Sequence, residues 1–387
     1  MAYYSIFPEI DTTLYSHPDR TTMNTGGDEI LELVKERGTT NARHYPSRIL
    51  IKFKNEEIKS TISDTIGSLK FNDGTTKAAL QLTTTEPKSL TTVLNIEAFL
   101  VSQSWHEGSG RYSNIPTGSN GATWTYRDNS TTQTKWATAS FAPGSTGSIE
   151  NGIGLELGGG SWYTGSCFSS TQQFLNNASL DIDLDVTCLV QKHSASLFAG
   201  DTYPTGVYNN GFIIKHPDSV EVNTSSSFGE MQYFSVDTHT IYPPKLTFKW
   251  DDSSYVTSSN ATLLDSGELN VSLYRNKEEF NQNDEALLRI HVRDKYPTRT
   301  FATSSNYLNA GYFTHTSYYS IRDAYTEEEV IPFDDDFTKI SADTESMYFK
   351  LYMKGLQPER YYRILFKHKN NDGTTIYDND YHFKVVR

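Results

Sequence analysis

SRILIKF, residues 47–53, alternates. Ile49, Ile51 and Phe53 fall on one face of an extended chain, with Arg48, Leu50 and Lys52 on the other. A period of two is the signature of a β-strand, because successive side chains point to opposite faces. The same period recurs in AALQL (78–82), LNIEAFLV (94–101), LDIDLDVTCLV (180–190), GFIIKH (211–216) and PKLTFKW (244–250). Each reads as a strand. GDEILELVKERG (27–38) fits a helical stripe and an alternating strand alike, and the turn-like NTG before it favours the strand.

Composition agrees. The 387 residues include 25 Tyr and 20 Phe, and Ser and Thr crowd nearly every segment, a mixture that suits a pleated surface. Gly- and Ser-rich stretches such as GGGSWYTGSCFSSTQQ (158–173) separate the strands. A formal net charge of −13 argues against direct nucleic-acid binding, which needs an excess of Lys and Arg to meet phosphates. No run approaches the ~18 apolar residues of a membrane span, and the N-terminal stretch lacks the pattern of a secretory signal. The expectation is a soluble chain made in a cytoplasm. Cys167 and Cys188 can pair once. A reducing compartment favours buried free thiols, and the sequence leaves both states open.

Residues 251–266 are Ser- and Asp-rich and poorly patterned, so they read as a linker between an N-terminal domain (1–250) and a C-terminal one (267–387). Strands resume beyond it, in EALLRIHVRD, YYSIRD, MYFKLYM, YYRILFKHK and YHFKVVR. The predicted fold class is all-β, two sandwiches in series.

The window SQSWHEGSGRYSN (102–114), followed by ATWTYRD (122–128), concentrates chemistry-bearing residues. His106-Glu107 opens like a zinc-protease motif, but that motif needs a second His one helical turn on, and position 110 is Gly. Glu107 and Asp128 form a conceivable acid/base pair. A serine-nucleophile elbow, G-x-S-x-G, is absent from the sequence. The structural reading is stronger: Trp105, Trp124 and Trp136 serve as core, and Glu107 with Arg127 as an ion pair that fixes a loop. In the C-terminal half, Leu356, Pro358 and Tyr362 have the spacing of a tyrosine corner, whose hydroxyl bonds back to upstream backbone, with Tyr361 facing the opposite way. Asp181, Asp183 and Asp185 read as the solvated face of a strand. Asp334, Asp335 and Asp336, with Asp343, are the better candidate calcium ligands, since loop carboxylates can converge on one cation; otherwise no cofactor is expected.

The ordered series DTTLYS (11–16), NTGG (24–27), SRILIKF, AALQL, SWHEGSG (104–110), ATWTYRD, Trp136, DVTCLV (185–190) and NNGFIIK (209–215) resembles the DNRLRE family. Its members are jelly-roll sandwiches related to carbohydrate-binding modules. The resemblance covers about two-thirds of the chain and implies that Trp105, Glu107 and Trp124 are mainly fold-defining. The family's W-x-x-P-G-G-D is replaced here by WATASFAPGS (136–145), which puts any site built on that Asp in doubt. The opening residues, SRILIKF and the C-terminal YSIRDAYTEEEVIPFDDDFTKISAD are also similar to virion structural proteins of contractile-tailed marine cyanophages. That resemblance implies a non-enzymatic virion component, assembled in the host cytoplasm, in the neck, the tail or baseplate periphery, or as head decoration. It would meet other virion proteins and copies of itself within a symmetric ring or shell, through an N-terminal jelly roll and a C-terminal immunoglobulin-like sandwich. The rival reading is a carbohydrate-binding module for host or matrix polysaccharide, with Trp162 and Tyr163, projected by flanking glycines, as the stacking pair.

Overall fold

A computed structural model describes residues 2–38, 43–67, 71, 74–86, 93–114, 120–137, 148–150, 158–175, 178–197, 207–223, 230–257, 261–265, 267–274, 276–297 and 311–387. Strands outweigh helices, 48% to 10%, so the chain is all-β. It divides into two compact units, Ile6–Thr247 and Phe248–Arg387, the latter joined by Met1–Ser5. That the first five residues group with the C-terminal half is not readable from local sequence.

In the N-terminal unit one antiparallel sheet runs in the order Ser169–Phe174, Leu94–Leu100, Phe212–Lys215, His44–Phe53, Pro8–Tyr15. Its central strands are buried on both faces, since nearly every residue of His44–Phe53 and all of Phe212–Lys215 are inaccessible. By contrast, Lys77–Leu82 pairs with Ile182–Asp185, and both alternate buried with more accessible positions. Ile30–Leu33 is a strand, paired with Met231–Phe234. Gln172 links two strand edges with its side chain: Nε2 donates to Asp181 O (3.0 Å) and Oε1 accepts from Asp183 N–H (2.8 Å).

LDIDLDVTCLV is strand only over Ile182–Asp185; from Thr187 it is helix, Thr187–Leu197. At the switch Asp185 makes an Asx turn: its Oδ1 accepts the Thr187 N–H at 3.0 Å and its hydroxyl at 2.5 Å, which ties the strand end to the first helical residue. Cys188 in the first helical turn is bonded to Cys167, with Cα atoms 5.2 Å apart, so the free-thiol expectation is corrected. No described helix is long and apolar enough to cross a membrane.

The C-terminal unit has two sheets around one core. One carries Glu285–Asp294 between Leu269–Tyr274 and Met347–Tyr352; the other carries Ser317–Asp323, Arg360–Asn370 and Gly373–Val386. Leu288, Ile290, Val292, Phe349 and Leu351 from the first pack with Tyr319, Ile321, Ile364, Phe366 and Phe383 from the second. The Tyr362 hydroxyl donates to Gln357 O at 2.9 Å, with Leu356 buried and the Tyr362 ring stacked on Phe383 at 5.5 Å. Tyr361 is exposed.

Candidate functional site

Burial of both faces of the N-terminal sheet needs a cover on each, and on the face of Leu50 and Ile213 tryptophans supply it. Leu14, Leu50 and Ile213 pack with Trp105, Trp124, Trp136 and Trp162 in one cluster. The same face carries charge. Arg48 is buried and forks onto buried Glu221, Nε to Oε1 at 3.1 Å and Nη2 to Oε2 at 2.6 Å, while Nη1 donates to Gly159 O at 2.6 Å. Its guanidinium lies 4.6 Å from the Trp124 ring and 4.8 Å from that of Trp162. Lys215, also buried, donates to His216 O (2.9 Å) and Asp218 Oδ1 (2.6 Å), with Glu221 Oε2 3.7 Å away. Buried charges persist only when paired and hydrogen-bonded, and these are.

Trp162 and Tyr163 are therefore not a projecting platform. They are 1% and 5% exposed, at the start of the strand Trp162–Thr164. The physical reason is that glycines permit close approach as readily as projection. Gly159 sits at φ +75°, and a Cβ there would lie 2.6 Å from the Trp124 ring, so the loop folds down onto the sheet.

The window around residue 106 is also built into the fold. Trp105 Nε1 donates to Asn210 O (2.8 Å) and Trp136 Nε1 to Thr123 O (2.9 Å). Asn24 ties the loop: Nδ2 donates to the carbonyls of Glu107 (2.6 Å) and Ala122 (2.8 Å), and Oδ1 accepts from Gly110 N–H (2.9 Å). Gly108 is at φ +83°, and a side chain there would strike Asn24 at 2.3 Å. Arg127 does not pair with Glu107; its Nη1 donates to Ser104 O (2.8 Å) and Oγ (3.0 Å). Beyond Ala137, the WATASFAPGS segment lies outside the described residues.

Glu107 Oε1 instead accepts the Asp11 N–H at 3.1 Å, and Asp11 Oδ2 accepts the Val236 N–H at 2.7 Å. Burial pushes the Asp11 carboxyl well above its ordinary value, with Glu107 and Asp237 adding repulsion. Burial likewise pushes Glu107 up to about 7, against the Asp11 N–H and with help from Asp237 and Glu9. Asp128 sits elsewhere electrostatically: the Ser130 N–H holds it below the ordinary value, and His106 Nε2 is 3.8 Å away. Glu107 and Asp128 thus answer to different neighbours.

A cleft that sequence reading missed opens beside this knot. Two cavities, about 490 and 300 Å³, share Tyr112 and Ser113. The larger is lined by His17, Asp19, Arg20, Met23, Glu36 and Arg37. There Arg20 lies over the Tyr112 ring at 4.4 Å and pairs with Glu36, which accepts the Tyr112 hydroxyl at 3.1 Å. The smaller is lined by Tyr15, Asp28, Glu29, Ile30, Glu32 and Arg111. Tyr15 and Tyr112 have ring centroids 5.5 Å apart. Segments far apart in sequence converge here, and no spacing within any one of them signals it.

No family model matches this chain, and no curated protein matches it.

The acidic C-terminal residues do not converge. Asp334 Oδ1 accepts the N–H groups of Asp336 (2.8 Å) and Phe337 (3.0 Å), as in an Asx turn. Asp335 pairs with Lys367 and Lys369, and Asp343 forks onto Arg289 at 2.9 and 3.1 Å. Among the described residues, no group of three or more His, Cys, Asp or Glu could hold a metal ion.

Proposed function

We propose that this chain is a non-enzymatic structural component of a tailed-phage virion. In this reading a jelly-roll-like N-terminal unit and an immunoglobulin-like C-terminal unit act through contacts with neighbouring subunits. The observation that carries the reading is a division between inside and outside. All five tryptophans are buried, whereas Tyr208, Tyr296 and Tyr325 stand 79%, 77% and 78% exposed. Large aromatics on a surface supply contact area at small entropic cost, and they are enriched where proteins meet. The carboxylates first considered for catalysis are separately engaged, Glu107 with the Asp11 backbone and Asp128 with Ser130 and His106. Polysaccharide attachment loses its assigned stacking pair with the burial of Trp162.

Quantitative mass spectrometry of purified particles tests the proposal. The chain should be found at a fixed copy number relative to the major capsid protein, near parity for decoration and a few copies for neck or tail. Absence from washed particles would overturn it, as would turnover of a polysaccharide by the purified protein.

A further inference from the structure

We propose that the cavity between Tyr15, Tyr112, Asp28 and Glu29 seats an arginine or lysine side chain from a neighbouring protein subunit. The inference rests on the reading that the chain works through subunit contacts, and it names the chemistry one such contact would use.

The neighbouring lobe shows the recognition at work within the chain. Across Tyr112, Arg20 lies over the phenol ring and meets the Glu36 carboxylate, so aromatic face and carboxylate together hold a guanidinium. The smaller lobe also sets tyrosine side chains beside carboxylates, with the Tyr15 and Tyr112 rings 5.5 Å apart. Its walls are Tyr15 and Tyr112, with the part-exposed side chain of Ile30 at the rim. Three carboxylates, Asp28, Glu29 and Glu32, face one cation, Arg111. Glu32 is fully committed, because its oxygens accept the Tyr15 hydroxyl (2.6 Å) and the Gln232 amide (2.9 Å). Asp28 gives Oδ2 to the Tyr112 N–H (2.7 Å), and Glu29 is half-exposed with His239 Nε2 at 3.8 Å. Those last two carboxylates are available to an incoming cation.

Size and field select the ligand. A cavity of about 300 Å³ is at the small end for ligand pockets, enough for one side-chain head group and too small for an oligosaccharide. A chain of net charge −13 repels anions and steers basic partners toward it. Burial raises the Asp28 carboxyl above its ordinary value, and Arg111 opposes that rise. A cation seated beside it would oppose that rise, so binding should strengthen as pH rises through the carboxylate range.

The test is an amide NMR titration of the full chain at low ionic strength with Nα-acetyl-argininamide, and with Nα-acetyl-glutamate as the control. The cationic probe should shift Tyr15, Asp28, Glu29 and Tyr112 with saturation in the millimolar range, and added salt should reverse it. Glu29→Gln should weaken binding by about threefold, the scale of one part-exposed charge pair, and Arg111→Ala should strengthen it. Shifts scattered over the acidic surface, saturation by the glutamate probe, or no saturable shift in the wild-type chain would overturn the proposal. Cation binding here is independent of whether the chain is found in particles, so this inference and the virion reading fail separately.

Discussion

The sheet built on His44–Phe53 and the sheets around Ile364 and Ile290 solve the same problem differently. The first is buried on both faces, and its outer cover mixes indole rings with a buried Arg48–Glu221–Lys215 ion cluster. The C-terminal sheets enclose one apolar core, and their charged pairs, such as Asp335 with Lys367 and Lys369, lie toward the solvent. The comparison teaches where electrostatics matters. An exposed pair contributes little because water screens it, whereas a buried charge becomes a liability once its partner is removed.

The sharpest way to break the comparison is Glu221→Ala. It strands Arg48 and Lys215 without their buried partner, and should cost about 3–5 kcal/mol. Urea unfolding followed by tryptophan fluorescence reads this out, since Trp105, Trp124, Trp136 and Trp162 all lie in the N-terminal unit. A cost below ~1 kcal/mol would mean the cluster is solvated, like a surface pair.

Reduction of Cys167–Cys188 comes next. The bond closes a sequence separation of 21, which in the chain-entropy model is worth about 3 kcal/mol. Calorimetry with and without reductant should lower the N-terminal transition and leave the C-terminal one in place. Equal shifts of both would contradict the assignment of the bridge to one unit.

The Glu107 carboxyl gives a pH signature of the N-terminal unit. Its folded-state value, about 7, lies above its ordinary 4.5, so the folded state holds the proton more tightly. Stability from this group is complete below about 4.5 and falls as pH rises through about 7. Asp11, raised in the same direction, adds to the loss. Glu107→Gln should flatten that slope in denaturation curves taken from pH 5 to pH 8, and an unchanged slope would remove Glu107 from the explanation. Smallest is Tyr362→Phe, which deletes the bond to Gln357 O and should cost about 1 kcal/mol, confined to C-terminal amides in hydrogen exchange.

Much of this architecture is legible from the sequence because a period of two is a local signal: SRILIKF, AALQL and LNIEAFL are strands where the alternation places them. The spacing of Leu356, Pro358 and Tyr362 is local, so the hydroxyl bond of the corner could be anticipated. The errors share a cause. Glycines beside Trp162 permit two opposite outcomes, and only the neighbouring Trp124 and Arg48 decide between them. The alternation in LDIDLDVTCLV masked the Asp185 turn and the helix after it. The Tyr112 cleft, the Asp11–Glu107 contact and the Arg48–Glu221 fork each join residues about a hundred or more positions apart, or converge from separate loops, and no local pattern encodes such meetings.

The central claim is that tryptophans roof the N-terminal sheet as structure. Indole N–H hydrogen exchange in ¹⁵N-Trp-labelled protein tests it most directly. The account predicts slow exchange for Trp105 and Trp136, which donate to Asn210 O and Thr123 O, and for buried Trp124 and Trp162. Exchange of Trp162 and Trp105 at the rate of a free indole, with the fold intact, would contradict it.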